Sequence, residues 1–503
     1  MNRPARSDEP EVYPPPHDGT TTMPQSATHP ARPSARPRVV ILGASLAGLL
    51  TAAALSRHTD VVLVDRDSLD EELTSPRRGV PQSRHTHGLL VSGSRAMEAL
   101  LPGLLDEVVA RGAILGDVIG GSRWVMRGAP MLSFPSTLIG VLCTRTLLES
   151  QVRRRVRSLA GVELLGEHDI VALVTDDASR RVIGARLVPR TGPDAGIETV
   201  LAADLVVDAT GRGSRLSRWF AELGYDLPEV TEVAASVGYA TRVFHDERGV
   251  LDGTDVIVVS TDPQTGRSGA AARIEGGRWT VTVAQANGAA PPIDLPEFTA
   301  FVDSLPAPEL GRLVRACQPD GTGEVYRFPS SRWVRYERLR RRPLGVLAVG
   351  DAVCSFNPVY GQGMSSASLQ AAAVRDLVEE CVAARGGDVR AALDDLASRA
   401  PAVQARVVSA PWALATGPDR RLPGMPRKPL PERLLDRYVD RVIEVARHDA
   451  PVTVAFMEVL NLLRPPQSLL APGIARRVLG ARAHRAPVQQ CVAPELVRTT
   501  APR

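Results

Sequence analysis

Apolar positions fall into short blocks whose spacing predicts alternating strands and helices. Val39-Val40-Ile41-Leu42, closed by Gly43, predicts a buried strand, and Leu49-Leu50-Thr51-Ala52-Ala53-Ala54-Leu55 predicts the helix after it. A second run, Val61-Val62-Leu63-Val64, predicts another strand and ends on Asp65. Polar, Pro/Gly-punctuated residues follow from Arg77 to Gly88, then an amphipathic helix through Met97 and Leu100–Leu101. Val141-Leu142-Cys143-Thr144-Arg145 leads into a helix from Leu147 to about Ser158. Val162–Leu165, Ile170–Thr175 and Val182–Val188 alternate as strands do, and Leu201–Gly211 predicts one further buried strand ending in a glycine turn.

The pattern changes from about 231 to 330. Ser236–Val243, Val256–Ser260 and Trp279–Ala284 predict an antiparallel sheet. Leu344–Asp351 returns to a buried strand with an acid at its end, followed by a helix from Gly361–Ser365 through Val378. Residues from 386 onward read as mainly helical, with a Pro-rich break at 423–431. The expected fold class is α/β. A discontinuous Rossmann-like dinucleotide-binding domain spans 37–230 and 336–385, with an inserted antiparallel β substrate-binding region at 231–335 and a helical region at 386–503. Pro, Ser, Thr and Arg dominate residues 1–36, predicting a disordered tail. The discontinuity predicts that Gly43, Asp208 and Asp351 meet at the carboxyl edge of one sheet, where ligands collect.

Composition narrows the class. With 44% hydrophobic and 23% charged residues, the 503-residue chain has the balance of a soluble globular protein. A net charge of +4 gives no reason to expect a nucleic-acid partner. The five cysteines are scattered, which argues against a disulfide framework, a zinc site or a dithiol centre and predicts a cytoplasmic protein. No apolar run reaches the roughly 18–20 residues of a membrane span, and no signal-peptide core is visible, so no stable membrane insertion is expected. For Val452–Leu463 a docked core helix is the expectation over membrane contact.

Gly43-Ala44-Ser45-Leu46-Ala47-Gly48 reads G-x-S-x-A-G between a strand and a helix, with Asp65 placed 22 residues after Gly43. Such a turn brings backbone N–H groups and a helix start to a pyrophosphate, and the acid accepts from a ribose hydroxyl. The second motif runs from Gly350-Asp351 through Pro358-Val359-Tyr360-Gly361-Gln362-Gly363-Met364-Ser365-Ser366. Asp351 suits a polyol, Gly361 and Gly363 admit a flat ring, and Ser365 or Ser366 would cap the following helix. A helix start there offers partial positive charge to a reduced flavin.

These motifs, with Val206–Arg215 and the segment Arg77–Leu90 between them, resemble the FAD-dependent class A monooxygenases of the para-hydroxybenzoate hydroxylase type. The Arg77–Leu90 segment is similar to the actinobacterial branch of monensin- and lasalocid-type polyether epoxidases. The resemblance covers about 38–400. It implies that Gly43, Ser45, Leu46, Ala47 and Gly48 hold the FAD pyrophosphate, and that Asp65 and Arg66 lie at the adenosine ribose. Arg78 and Arg145 would reach the cofactor, Gly350 and Asp351 the ribityl chain, and Pro358, Gly361, Gln362, Gly363 and Met364 the isoalloxazine. Asp208 matches the middle acidic motif, but D-A-T-G-R-G departs from the doubled acid–glycine form. The implied reaction inserts one atom of O2, through a flavin C4a-hydroperoxide, into an apolar natural-product substrate such as a polyketide or terpenoid. Electrons come from NADPH or NADH, directly or through a separate flavin reductase.

The sheet region offers His245 as its one histidine and no convincing base, which favours alkene epoxidation over aromatic hydroxylation. His85 and His87 lack a third metal ligand nearby in sequence; contact with FAD or substrate and a structural role both stay open. Arg77 suits either an FAD phosphate or a solvated face, and Cys354 a buried filler. A halogenase is set aside because the one lysine, Lys428, lies in a Pro-rich segment and no W-x-W-x-I-P motif occurs. An isoprenoid double-bond reductase of the geranylgeranyl reductase type is the stronger rival; Tyr326-Arg327-Phe328-Pro329 partly matches its substrate motif without the tryptophan. A non-catalytic flavoprotein would require a spoiled ring-facing loop, and Gly361–Ser366 is intact.

Overall fold

The computed structural model describes residues 36–481 apart from 71–76, 78, 179, 287 and 289. The expected tail at 1–35 and the candidate Arg78 lie outside the described residues.

Five parallel strands form the central sheet, in the order Val346–Ala348, Leu205–Asp208, Arg38–Leu42, Asp60–Val64, Val162–Leu165. Strand periodicity sorts their side chains onto two faces. Val39, Ile41, Val61, Leu63, Leu205 and Val207 pack against the helices Leu46–Leu55, Arg145–Arg157 and Gly363–Ala384. Val40, Leu42, Val62, Val64 and Val206 pack on the opposite side against a three-stranded sheet (His168–Thr175, Val182–Pro189, Thr199–Ala202) and against Trp219 and Phe220. The expected single strand over Leu201–Gly211 is in fact two. At the break the Asp204 carboxylate accepts from the Arg38 N–H at 2.8 Å and from Arg390 at 3.1 Å, and the chain passes there from one sheet to the other.

A second, seven-stranded sheet runs in the order Gln318–Phe328, Val237–His245, Arg278–Ala286, Arg267–Ile274, Val256–Val259, Ser122–Met126, Ala129–Pro130. Its last two strands come from inside the 37–230 segment, and Val256–Val259 pairs with Ser122–Met126 in parallel, so the sheet is mixed. One face is closed by the helices Leu295–Asp303 and Pro308–Ala316, through Phe298, Phe301 and Leu310 over Val281, Val283 and Ile257. The other face is left toward the dinucleotide turn.

Helix Val389–Asp419 runs through Pro401, Pro411 and Pro418 and is followed by Leu430–Val445, Ala450–Leu460 and Pro472–Gly480. Val452, Phe456, Met457 and Val459 are buried against Met131 and Leu138, so Ala450–Leu460 is a docked core helix. No helix among the described residues is long and apolar enough to cross a membrane.

Candidate functional site

Gly43 leaves its strand with φ +102°, and a Cβ there would lie 2.5 Å from the Ala209 carbonyl oxygen. A Cβ on Gly48 would lie 1.9 Å from the Gly43 oxygen. Only glycine lets helix Leu46–Leu55 start this close to two strand ends. The first N–H groups of that helix have no intrahelical acceptor, and Leu46 and Ala47 face a cavity of about 1240 Å³. Asp65, at the end of the neighbouring strand, accepts from the Ala44 N–H at 2.7 Å and the Asp67 N–H at 3.0 Å, fixing the turn from below.

Ser45 ties this turn to a buried charge network. Its hydroxyl makes no cap bond; it accepts from Arg145 Nη2 at 2.9 Å and donates to Glu149 Oε2 at 3.3 Å. Glu149, 2% exposed, also accepts from Arg77 Nε at 3.0 Å, Arg145 Nε at 3.2 Å and Arg153 Nη2 at 3.3 Å. Arg77 further donates to the Ala44 carbonyl at 3.2 Å and lies 3.2 Å from Asp65. Arg77 is thus not on a solvated face: it lies buried among Glu149, Asp65, Asp67 and the Ala44 carbonyl, and it lines the cavity. Glu149 was absent from the expected site. Its signal was the i, i+4 spacing of Arg145, Glu149 and Arg153 on one helix face.

Gly43, Ser45, Leu46, Ala47, Asp65, Arg66 and Arg145 all line the cavity. So do Asp351, Pro358, Gly361, Gln362, Gly363 and Met364. Three expected contact residues sit behind its wall. Gly48 supports the turn. Asp208 is fully buried and accepts from the Thr210 N–H, the Thr210 hydroxyl and Ser214, so it shapes the turn while Thr210 and Gly211 face the cavity. Gly350, with φ +66°, donates to Gln370 at 2.9 Å and brings its turn against Ala47.

Asp351 follows its strand in a short 3-10 turn, and among the described residues its carboxylate makes no protein hydrogen bond. Burial pushes it up to about 6, against the pull of Arg145 and Arg212. The ring-facing loop is held from outside the cavity. Asn357 caps Pro358–Tyr360 by accepting from Val359, accepts from the Tyr239 hydroxyl, and donates to Asp419 at 3.1 Å. Tyr360 donates to the same carboxylate at 2.7 Å. Asp419, 1% exposed and pushed up to about 6 by burial, ends helix Val389–Asp419; it too was absent from the expected site. Ser365 caps nothing, since Gln362 is the cap position and the Ser365 hydroxyl accepts from the Leu90 N–H at 3.0 Å. Cys354 is fully buried in the core behind the cavity, among Trp333, Val353 and Phe356.

The histidine segment lies on the open face of the seven-stranded sheet. His85 Nδ1 meets Thr241 Oγ1 at 2.7 Å, and the Thr86 N–H donates to Thr282 at 3.1 Å. The His85 ring packs 5.6 Å from Tyr326 and 6.3 Å from Tyr239. Burial lowers His85 to about 4 and His87 to about 3, so both are neutral at pH 7. His245 instead pairs with Asp320 on the outside of the sheet. Lys428 is buried, donating to the Gly417 carbonyl at 2.8 Å and pairing with Asp436 at 2.9 Å.

FAD fits these groups. Two helix starts offer N–H donors, Asp351 offers an unused acceptor pair, and the buried Gln362 Oε1 has no partner among the described residues. The remaining length of the cavity is mainly apolar, between Ala270, Ala272, Ala284 and Phe328 of the sheet and Leu414, Val439, Phe456 and Leu469 of the C-terminal helices, with Arg127, Arg421 and Asp436 as its charged residues.

No family model matches the chain. Three solved structures share its fold. They are PqsL, a probable FAD-dependent monooxygenase from Pseudomonas aeruginosa (TM-score 0.56, 22% identity, 77% of this chain and 97% of that one), the flavin-dependent brominase Bmp2 (0.63, 15%, 88% and 98%), and p-nitrophenol 4-monooxygenase PnpA from Pseudomonas putida DLL-E4 (0.56, 18%, 85% and 98%). Protein Rv3254 of Mycobacterium tuberculosis (strain ATCC 25618 / H37Rv) is 35% identical over 365 residues, 71% of this chain and 76% of that protein. The chain therefore belongs to the family of protein Rv3254, and it has the α/β fold found in flavin-dependent monooxygenases.

Proposed function

We propose that this protein is an FAD-dependent monooxygenase of class A that transfers one oxygen atom from O2 to an apolar substrate, by alkene epoxidation of a polyketide or terpenoid, in the manner of the polyether epoxidase branch. The observation that carries this reading is the continuity of one cavity, charged and hydrogen-bonding at the glycine turn and apolar between the sheet and the C-terminal helices. In this reading residues 37–230 and 336–385 make the FAD domain apart from the strands Ser122–Met126 and Ala129–Pro130, which join 231–335 in the substrate sheet, and the helices between Val389 and Gly480 form its cover.

Leu46 and Ala47 N–H groups, with Gly43, Ser45 and Arg145, hold the pyrophosphate. Asp65 and Arg66 take the adenosine ribose and Asp351 the ribityl hydroxyls, while Pro358, Gly361, Gln362, Gly363 and Met364 line the ring. Bound FAD supplies the oxygen activation, which is cofactor chemistry; the protein orients the substrate and excludes water. Electrons come from NADPH or NADH, directly or through a reductase.

Aromatic hydroxylation gains one observation, because the fold carries His85 to the substrate sheet that otherwise lacks a base. An imidazole lowered to about 4 is a weak acceptor for a phenolic proton, so alkene oxygenation remains the better reading. The test is to supply the FAD-loaded protein with reductant and a polyene, then follow oxygen uptake and product mass. Substrate-dependent uptake with gain of one oxygen supports the proposal. A saturated product formed without oxygen would establish the reductase instead.

A further inference from the structure

The apolar end of the cavity contains two cations that share one anion. Arg421, just past the end of the long helix, lines the cavity and forks onto Asp440, with Nη1 to Oδ1 at 2.8 Å and Nη2 to Oδ2 at 3.0 Å. Arg127, which also lines it, reaches the same Oδ1 at 2.5 Å. Arg127 turns inward from the hairpin after Ser122–Met126 with φ +53°, a left-handed conformation that a non-glycine residue adopts at some expense. The neighbouring charges do not restore balance. Asp436 is taken by Lys428, and Glu444 pairs with Arg441 at 2.8 Å. Arg447 adds a further cation, donating to the Met126 carbonyl at 2.9 Å, with its Nε buried and unpartnered. Apart from Asp436, held by Lys428, the wall around the arginines is apolar, with Met126, Leu422, Leu435, Val439 and Ile443.

We propose that Arg421 and Arg127 form a subsite for the carboxylate end of an elongated apolar substrate, and that Asp440, outside the lining, holds the two guanidiniums in place behind it. Asp440 takes two of the five N–H donors of Arg421 and one of those of Arg127, and the rest suit one more carboxylate, while the largely apolar wall favours hydrocarbon for the rest of the ligand. A nucleotide phosphate would use the same cations but would place a sugar and base against leucine and valine. The inference rests on the reading above, that the distal cavity takes the substrate.

The test uses the FAD-loaded full chain with flavin oxidised, so that no turnover is required. All-trans retinoic acid and retinol, which share one polyene and differ at the terminus, are titrated against tryptophan emission, Trp124 being in the cavity wall. The acid is expected to bind at least ten times more tightly than the alcohol. Arg421→Gln and Arg127→Gln should each shrink that ratio severalfold, while Asp440→Asn, which removes the arginines' counter-ion, should enlarge it. Equal binding of acid and alcohol, a ratio unchanged in both arginine variants, or displacement of the acid by NADPH would overturn the subsite. If Arg421→Gln fails to fold, Arg127→Gln and Asp440→Asn decide the matter alone. The same titration on flavin-free protein reads the subsite even where the oxygenase reading fails.

Discussion

The two ends of the cavity are built by different physics. At the glycine turn, contacts are short, polar and geometrically demanding. Gly43 and Gly48 admit no side chain, and Glu149 is ringed by Arg77, Arg145 and Arg153. At the far end, a sheet face and a bundle of helices enclose largely apolar space, with Arg421 and Arg127 in its lining and Asp440 behind them. The first end is specified atom by atom, as a fixed cofactor demands. The second is specified mainly by shape and by one charge imbalance, which suits a substrate that must enter and leave.

That contrast predicts unequal tolerance to substitution. Glu149→Ala should be the most damaging change, because it strands three buried guanidiniums; loss of about 3–5 kcal/mol in a urea titration is expected, together with loss of FAD uptake. An effect below about 1 kcal/mol would mean that the network is not what holds the turn. Gly48→Ala follows at about 3 kcal/mol, at the upper end of overpacking effects, since its Cβ would meet backbone at 1.9 Å. By contrast, Val439→Ala at the far end should leave FAD affinity unchanged and weaken substrate binding.

Asp419 gives a pH-dependent test of the loop between the two ends. Its folded carboxyl is raised to about 6 from an ordinary 3.8, so between those values the folded chain holds a proton that the unfolded chain has released. The contribution is full below about 4 and is lost as pH rises through about 6, amounting to about 2–3 kcal/mol. His85 and His87, lowered by burial, act in the opposite sense, losing stability as pH falls below their ordinary 6.5. The difference in urea midpoint between the parent and Asp419→Asn isolates the carboxylate. The variant should gain relative stability as pH rises from 4 to 7, and a flat difference would contradict its burial as a titrating acid. The smallest expected effect is Thr241→Val, which removes the hydroxyl that meets His85 and Thr282, at about 1 kcal/mol.

The two ends also differed in how far the sequence revealed them. The turn was legible because its signals are local: strand, glycine turn, helix and acid occur within Val39–Asp65. The break at Ala203–Asp204 was missed because Leu201–Asp208 is apolar enough to read as one strand, while the Asp204 partners, Arg38 and Arg390, are remote in sequence. Ser365 was misread as a cap for a similar reason, since its partner Leu90 comes from the histidine segment. Asp419, Arg421 and Arg127 carried no local signal. Their roles arise only where the long helix, the ring-facing loop and a distant hairpin converge, and no spacing rule encodes that convergence.

The most direct test of the oxygenase account is one turnover of the FAD-loaded protein, reduced beforehand, with a polyene acid under isotopically heavy oxygen gas. The account predicts a product carrying one heavy oxygen atom. A product that contains none, or oxygen consumed only to hydrogen peroxide at a rate indifferent to the polyene, would contradict it.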